Sequence, residues 1–293
     1  MFGKGGSGKS TVTVFLARAL RRRGHQVVVL DADSTNLGMS AALGVDRNPE
    51  PLLNHFGGMV FSGGAVTCPV DDPTPLEGAE VFLQDLPRSF VGETEDGISL
   101  LAAGKLGALG PGAGCDGPIV KIARDLRVRG RDTDPVLLVD FKAGFEDAAR
   151  GAVTSVDLAV VVVDPTTAAV QMAKDLASMV EAILAGGQPA TAHLERPGLV
   201  EMAQRVYREA RVQGVLAVRN RTPDAQAEAY LGSALEQLGV RVDGVFPEER
   251  EVAAQWLHGR ALSSRRLDRA SDALASAIVD VLQTLTAHAS AAP

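Results

Sequence analysis

The chain has 293 residues, a formal net charge of −7, and a composition of 46% hydrophobic, 22% charged and only 4% aromatic residues. This is the balance of a globular α/β protein whose buried strands are built from Val and Leu, and the length is enough for one large domain or two ordinary ones. The acidic balance gives no support to nucleic-acid binding. The two cysteines, Cys68 and Cys115, are too few for a disulfide scaffold and point to a reducing compartment. The longest apolar stretches, such as Leu158–Val163, are far too short to span a membrane. With no signal peptide read at its start, the chain is expected to be cytoplasmic.

In chain order, only Met1 and Phe2 precede the glycine-rich run Gly3-Lys4-Gly5-Gly6-Ser7-Gly8-Lys9-Ser10. A loop of this type normally follows a buried strand of about five or six residues. A truncated first strand is therefore expected, with unpaired backbone groups in its neighbours. Val12, Phe15, Leu16, Ala19 and Leu20 recur at helical spacing and predict a helix over 10–23, stopped by Gly24. Strands are predicted at 26–30, 98–102, 136–139, 158–163, 215–218 and 240–245, several of them ending in Asp. Helices are predicted at about 118–129, 145–155, 166–184, 199–210, 224–238, 248–258 and 265–287. Apolar strands alternating with helices imply a doubly wound, mostly parallel sheet covered on both faces. The whole of 1–293 reads as one domain, with an irregular surface excursion at about 45–97, a second connector at 185–198 and a frayed tail at 287–293. The runs Arg21-Arg22-Arg23 and Arg127, Arg129, Arg131 read as solvated cations at helix C-termini.

The run from Gly3 to Ser10 matches G-x-x-x-x-G-K-[ST] completely and opens into a helix. Its glycines let backbone N–H groups converge on one anion without a Cβ clash, and the helix N-terminus adds partial positive charge. Gly3, Gly5, Gly6, Ser7, Gly8, Lys9, Ser10 and Thr11 are thus the expected nucleotide-binding loop. Lys9 would reach the β- and γ-phosphates, and the Ser10 hydroxyl would ligate Mg²⁺. Lys4 is not needed to hold phosphate. It reads either as a cation beside the developing γ-phosphate charge, like an arginine finger, or as a solvated loop lysine. Asp33, at the end of the second strand, reads as an orienter of water or Mg²⁺, or as the N-cap of a following short helix. Asp140 ends Val136-Leu137-Leu138-Val139, the pattern of a carboxylate that holds Mg²⁺ through water.

The loop Lys4-Gly5-Gly6-Ser7-Gly8-Lys9-Ser10, with Asp31-Ala32-Asp33 and Asn36-Leu37 in the place of switch I, resembles the MinD/ParA class of P-loop ATPases. Within that class the likeness is to the CooC group, which assists nickel insertion into carbon monoxide dehydrogenase. It is carried by Val139-Asp140-Phe141-Lys142-Ala143-Gly144-Phe145-Glu146 at switch II, Arg150-Gly151, Val156-Asp157, Asp164-Pro165, Val245-Phe246-Pro247 and Gly259-Arg260-Ala261-Leu262. The resemblance implies an ATPase that closes as a nucleotide-sandwich homodimer, with Lys4 of one subunit reaching the phosphates of the other. It also implies adenine contacts from Asn220 and Pro247; Asn220 alternatively reads as a loop residue in an Asx turn.

Gly114-Cys115-Asp116-Gly117-Pro118 falls where that group carries Cys-x-Cys, and Gly117 stands in place of the second cysteine. Cys115 is then either a ligand for Ni or Zn, completed by Asp116 or Cys68, or a small residue without metal. Lys142 stands where an acidic residue is usual and is expected to alter the charge beside the γ-phosphate. Three functions remain open: an ATP-driven switch in maturation of a client metalloenzyme, a positioning or partitioning ATPase, and a regulatory nucleotide-binding module. The last helix has no Lys or Arg from Asp272 to Ala287, which argues against a membrane anchor.

Overall fold

The computed structural model describes residues 1–45, 47–105 and 115–291. Its spine is β2 (Val27–Ala32), a wholly buried β-branched run. Parallel to it lie β5 (Ile98–Ala102) on one side and β7 (Val136–Phe141) on the other, with Val27 opposite both Ile98 and Val136. On the far side, β8 (Ala159–Val163), β9 (Val215–Thr222) and β10 (Arg241–Pro247) form a second parallel group. The two-residue strand β1 (Phe2–Gly3) joins the groups. It pairs with β8, while the Met1 amino group donates to Val139 O at 2.6 Å and Phe141 N donates to Met1 O at 3.3 Å. β7 is half-buried over Val136–Leu138 and fully buried over Val139–Phe141, the part beside β1. Every main-sheet pairing is parallel except that of the two-residue edge strand β4 (Gly92–Glu93).

Alternation along the strands sends side chains into two cores. Val27 and Val29 face the helices α1 (Lys9–Arg22) and α10 (Arg265–Ala291), where Val12, Phe15, Leu16, Leu267 and Leu274 are buried. Val28 and Leu30 face α4 (Gly117–Asp125), α6 (Thr167–Leu184) and α8 (Ala225–Gln237), where Ile119, Ile122, Leu176, Leu231 and Leu235 are buried. Charged residues tie α1 to α10: Arg22 reaches Asp268 at 3.3 Å and Asp272 at 2.8 Å, so the basic run is paired rather than merely solvated.

Several predicted elements change. Arg127–Arg129, expected to end a helix, is a strand, β6, paired with β3 (Glu80–Phe82). The helix stops at Leu126, whose ψ of 128° is extended, and Val128 alone of the three strand residues is buried, an alternation with period two. The single helix expected over 145–155 is two short pieces, α5 (Glu146–Ala149) and a 3₁₀ turn at Ala152–Ser155. They are separated by Gly151 at φ +87°, a conformation helical residues do not adopt. Nor is the 45–97 excursion purely superficial. It follows the short helix α2 (Met39–Leu43), contributes the short helix α3 (Leu52–His55), and buries Leu52, Leu53, Met59, Val66 and Leu86 in the core. The last helix, finally, continues to Ala291, through most of the expected frayed tail; residues 292–293 lie outside the described residues.

Candidate functional site

Between β1 and α1 the loop turns through Gly6 at φ +78° and Gly8 at φ +89°, both in the left-handed region that favours glycine. Gly8 is further constrained by packing: a Cβ there would lie 2.1 Å from Asn220 Nδ2. Ser7 N donates to Lys4 O at 3.1 Å, closing the turn. A cleft of about 630 Å³ opens over the loop, lined by Gly6, Gly8, Lys9, Ser10 and Thr11 on one side and by Pro247 and Trp256 on the other. Lys9 is buried, and its helix presents its N-terminal amides to the same space.

Behind the loop the acidic groups converge. Ser10 Oγ donates to Asp140 Oδ2 at 2.6 Å and accepts from Asn36 Nδ2 at 3.0 Å. Asp140 is fully buried and its carboxyl is raised above the usual range, chiefly by burial, with the Ser10 hydrogen bond and Lys9 opposing. Asp33 lines the cleft, but its Oδ1 accepts from Thr35 N, Thr35 Oγ1 and Asn36 N at 3.0, 2.7 and 3.2 Å. It therefore organises the switch I turn; the N-cap of α2 is Gly38, not Asp33. Asp31, two residues earlier on β2, is pushed up to about 7 by burial even though Lys105 Nζ stands 2.7 Å from its Oδ2. Ser10, Asp33 and Asp140 supply oxygen donors only, the chemistry that suits a small hard cation such as Mg²⁺.

The two lysines separate. Lys9 is inside the cleft, whereas Lys4 is a third exposed, 3.4 Å from Asp164 Oδ2, and donates to Gly5 O at 3.2 Å. Asn220 Nδ2 donates to Ser7 O at 2.6 Å and so braces the loop while also lining the cleft. Pro247 sits at the end of β10 on the opposite wall.

Lys142 does not lie where it was expected. Its Nζ points to Asp116 Oδ2 at 2.6 Å and it is not among the cleft-lining residues, so its charge is spent on Asp116 rather than beside a γ-phosphate. Arg150 Nη1 holds the other oxygen of Asp116 at 2.6 Å. Burial works against the Asp116 carboxylate, but these two cations hold it below its usual range. Asp116 is thus committed to an ion-pair hub at switch II. Cys68, which no sequence pattern placed near this hub, lies against Gly117: a Cβ on Gly117 would meet its Sγ at 2.5 Å. Gly117 N donates to Cys115 Sγ at 3.4 Å, so both sulfurs flank the same glycine. Among the described residues no group of three or more His, Cys, Asp or Glu is placed to hold a metal ion. Gly114 lies outside the described residues.

Residues 1–262 match the family described as CobQ/CobB/MinD/ParA nucleotide binding domain. The chain belongs to this family. Its members are P-loop ATPases, and the ATPase reading of the cleft stands with that membership. An uncharacterized ATP-binding protein of Methanocaldococcus jannaschii is 31% identical over 59% of this chain and 69% of its own length. The carbon monoxide dehydrogenase accessory protein CooC of Rhodospirillum rubrum is 30% identical over 59% of this chain, a match spanning 65% of that relative. In fold, the septum site-determining protein MinD of Pyrococcus horikoshii, solved with Mg-ADP, superposes with a TM-score of 0.57 at 19% identity, covering 95% of this chain and 93% of that one.

Three participants escaped the sequence reading. Arg221 is the one non-glycine residue with positive φ (56°) among the described residues, and its Nη1 donates to Gly6 O at 3.1 Å. Lys105 reaches Asp31 from the end of β5. Trp256, on α9 (Arg250–Leu257), donates from Nε1 to Thr11 Oγ1 at 2.9 Å. Of these, only Trp256 had a usable signal, as the single tryptophan of an aromatic-poor chain.

Proposed function

We propose that this ATPase is a dimerisation switch: Mg-ATP closes two copies over their phosphate loops, hydrolysis opens them, and the cycle serves maturation of a client metalloenzyme. The observation that carries the dimer is the separation of the lysines. Lys9 occupies its own cleft, while Lys4 stands outside it on Asp164, free to be redirected to a second copy. Leu37 and Leu257, 78% and 80% exposed, follow the cleft residues Asn36 and Trp256 and offer apolar surface for a second copy to cover. In this reading Lys9 and the loop amides bind the phosphates. Ser10, Asp140 and Asp33 hold Mg²⁺, which when bound neutralises phosphate charge. Asn220 and Pro247 border the base, and residues 1–293 act as one unit.

The metallation role is supported by the relative named as a carbon monoxide dehydrogenase accessory protein and by two thiols, Cys68 and Cys115, flanking Gly117 beside switch II. Ni or Zn would be cargo held there across two copies. No helix among the described residues is long and apolar enough to cross a membrane, and a cytoplasmic client fits that.

Light scattering with Mg²⁺ and a non-hydrolysable ATP analogue is expected to show a doubled mass relative to nucleotide-free protein, and Lys4→Ala to lose ATPase activity by about 10³-fold, the scale of an arginine finger. A mass unchanged by nucleotide, or full turnover in Lys4→Ala, rejects the switch. For the cargo, Ni²⁺ or Zn²⁺ titration is expected to show binding that Cys115→Ser abolishes; indifference to that change removes metal from the function.

A further inference from the structure

We propose that Trp256 is the base-side platform of the nucleotide cleft and that it ties an occupied cleft to switch I. The inference rests on the ATP-binding reading of the same cleft and adds a residue that phosphate chemistry does not require.

α9 carries Trp256 across the cleft so that its Nε1–H meets Thr11 Oγ1 at 2.9 Å, in the first turn of α1. The ring borders the same 630 Å³ space as Gly8, Lys9, Ser10 and Pro247. Its six-membered edge lies on switch I: a Cβ on Gly38 would fall 2.7 Å from Cζ3. The indole also packs against the apolar core between α1 and α10, which fixes its orientation. A half-buried indole whose N–H is already satisfied keeps its aromatic face for a flat ligand. Bases stack on such faces whatever their identity, because every base has a π-face.

The contact with Gly38 gives the platform a consequence. Gly38 N donates to Asn36 Oδ1 at 2.9 Å, and Asn36 Nδ2 donates to Ser10 Oγ at 3.0 Å. The ring, the switch I turn and the hydroxyl beside Asp140 therefore form one connected chain. A base pressed against Trp256 bears on the segment that positions Ser10, which bare phosphate does not do.

The test is calorimetry on the full chain with Mg-ATP, Mg-GTP and inorganic tripolyphosphate, the last being the phosphate chain without a base. Trp256→Leu keeps apolar packing and removes the aromatic face. It is expected to weaken ATP and GTP alike by about tenfold and to leave tripolyphosphate affinity unchanged. Trp256→Phe is expected to retain most nucleotide affinity. Because the chain has one tryptophan, wild-type emission reports on this side chain alone and is expected to shift with ATP but not with tripolyphosphate. Unchanged ATP affinity in Trp256→Leu overturns the platform. So does an equal loss for ATP and tripolyphosphate, which marks the ring as a prop of the loop. Wild-type protein that binds neither nucleotide nor tripolyphosphate defeats the phosphate-loop reading itself, and the platform with it.

Discussion

The phosphate loop and the ion-pair hub around Asp116 both meet switch II, through Gly144 N to Gly3 O at 3.1 Å and through Lys142, and are built in opposite ways. The loop is eight consecutive residues whose working groups are backbone amides and one buried lysine, set by glycines at φ +78° and +89°. The hub draws Asp116 from the start of α4, Lys142 from just after β7, Arg150 from the end of α5 and Cys68 from the 45–97 excursion. An anion site made of contiguous backbone is fixed by local geometry and needs little of the fold to be recognised. A hub made of distant side chains exists only once the sheet has placed its parts. Its components are also mutually compensating, since one carboxylate serves two cations, whereas the loop has no spare for Lys9.

That difference sets the order of effects expected on mutation. The largest is at the loop. Lys9→Ala removes the buried cation of the phosphate loop and is expected to lower kcat for ATP hydrolysis by at least about 10²–10³-fold, the cost of deleting a preorganised charge at a developing anion. Steady-state phosphate release measures it, and activity within tenfold of wild type would place phosphate binding elsewhere.

The same contrast explains what the amino-acid sequence revealed. Strands rich in Val and the periodic face of α1 were legible because burial on both faces leaves a continuous apolar run and burial on one leaves a 3.6-residue stripe. The loop, Asp33 and Asp140 were legible as positions because their chemistry repeats in short spacings, although what Asp33 does with its oxygens was not. The hub was invisible. Lys142 read as a charge near the γ-phosphate because it is two residues from Asp140, yet its side chain leaves the cleft for Asp116 at 2.6 Å. Cys68 read only as an unplaced partner for Cys115 because the excursion that carries it has weak periodicity, while its buried Leu52, Leu53, Met59 and Val66 fold it back on the core. Arg127–Arg129 misled for a related reason: three residues are too few to show alternation, and only pairing with β3 makes them a strand.

The hub's own electrostatics give the next effect. Asp147, 2% exposed, is raised from 3.8 to about 6, first by burial and then by the Asp116 charge, and its Oδ1 has no hydrogen-bond partner. A carboxyl raised in the folded state favours folding while protonated. Its contribution is complete below about pH 4 and is lost as pH climbs through about 6, on the order of 2–3 kcal/mol in all. Urea melts at pH 4.5 and 6.5 are expected to show that slope in wild type and its flattening in Asp147→Asn. An identical slope in the variant assigns the pH dependence to another group.

Packing at Gly117 comes next. A methyl there meets Cys68 Cβ at 2.7 Å and Sγ at 2.5 Å, so Gly117→Ala is expected to cost about 1–3 kcal/mol by overpacking. Adding Cys68→Gly is expected to recover part of that loss, and a double-mutant cycle on thermal melts isolates the coupling. Additive changes would mean that the two residues do not touch.

The smallest effect separates the hub from the loop. Lys142→Ala leaves Asp116 with Arg150 still 2.6 Å away, and Lys142 is itself 27% exposed, so the expected stability loss is within about 1 kcal/mol. Because its ammonium does not line the cleft, nucleotide affinity is expected to stay within about twofold, far inside the tenfold that 1.4 kcal/mol represents. Asp116→Ala should cost more, since it strips the partner from two cations at once and leaves Arg150 with the more distant Asp147, 3.9 Å away. Calorimetry of both variants with Mg-ATP checks this order. A Lys142→Ala protein that loses ATP affinity more than Asp116→Ala would mean that the lysine leaves Asp116 for the phosphates once nucleotide binds, and the division between loop and hub would then dissolve in the bound state.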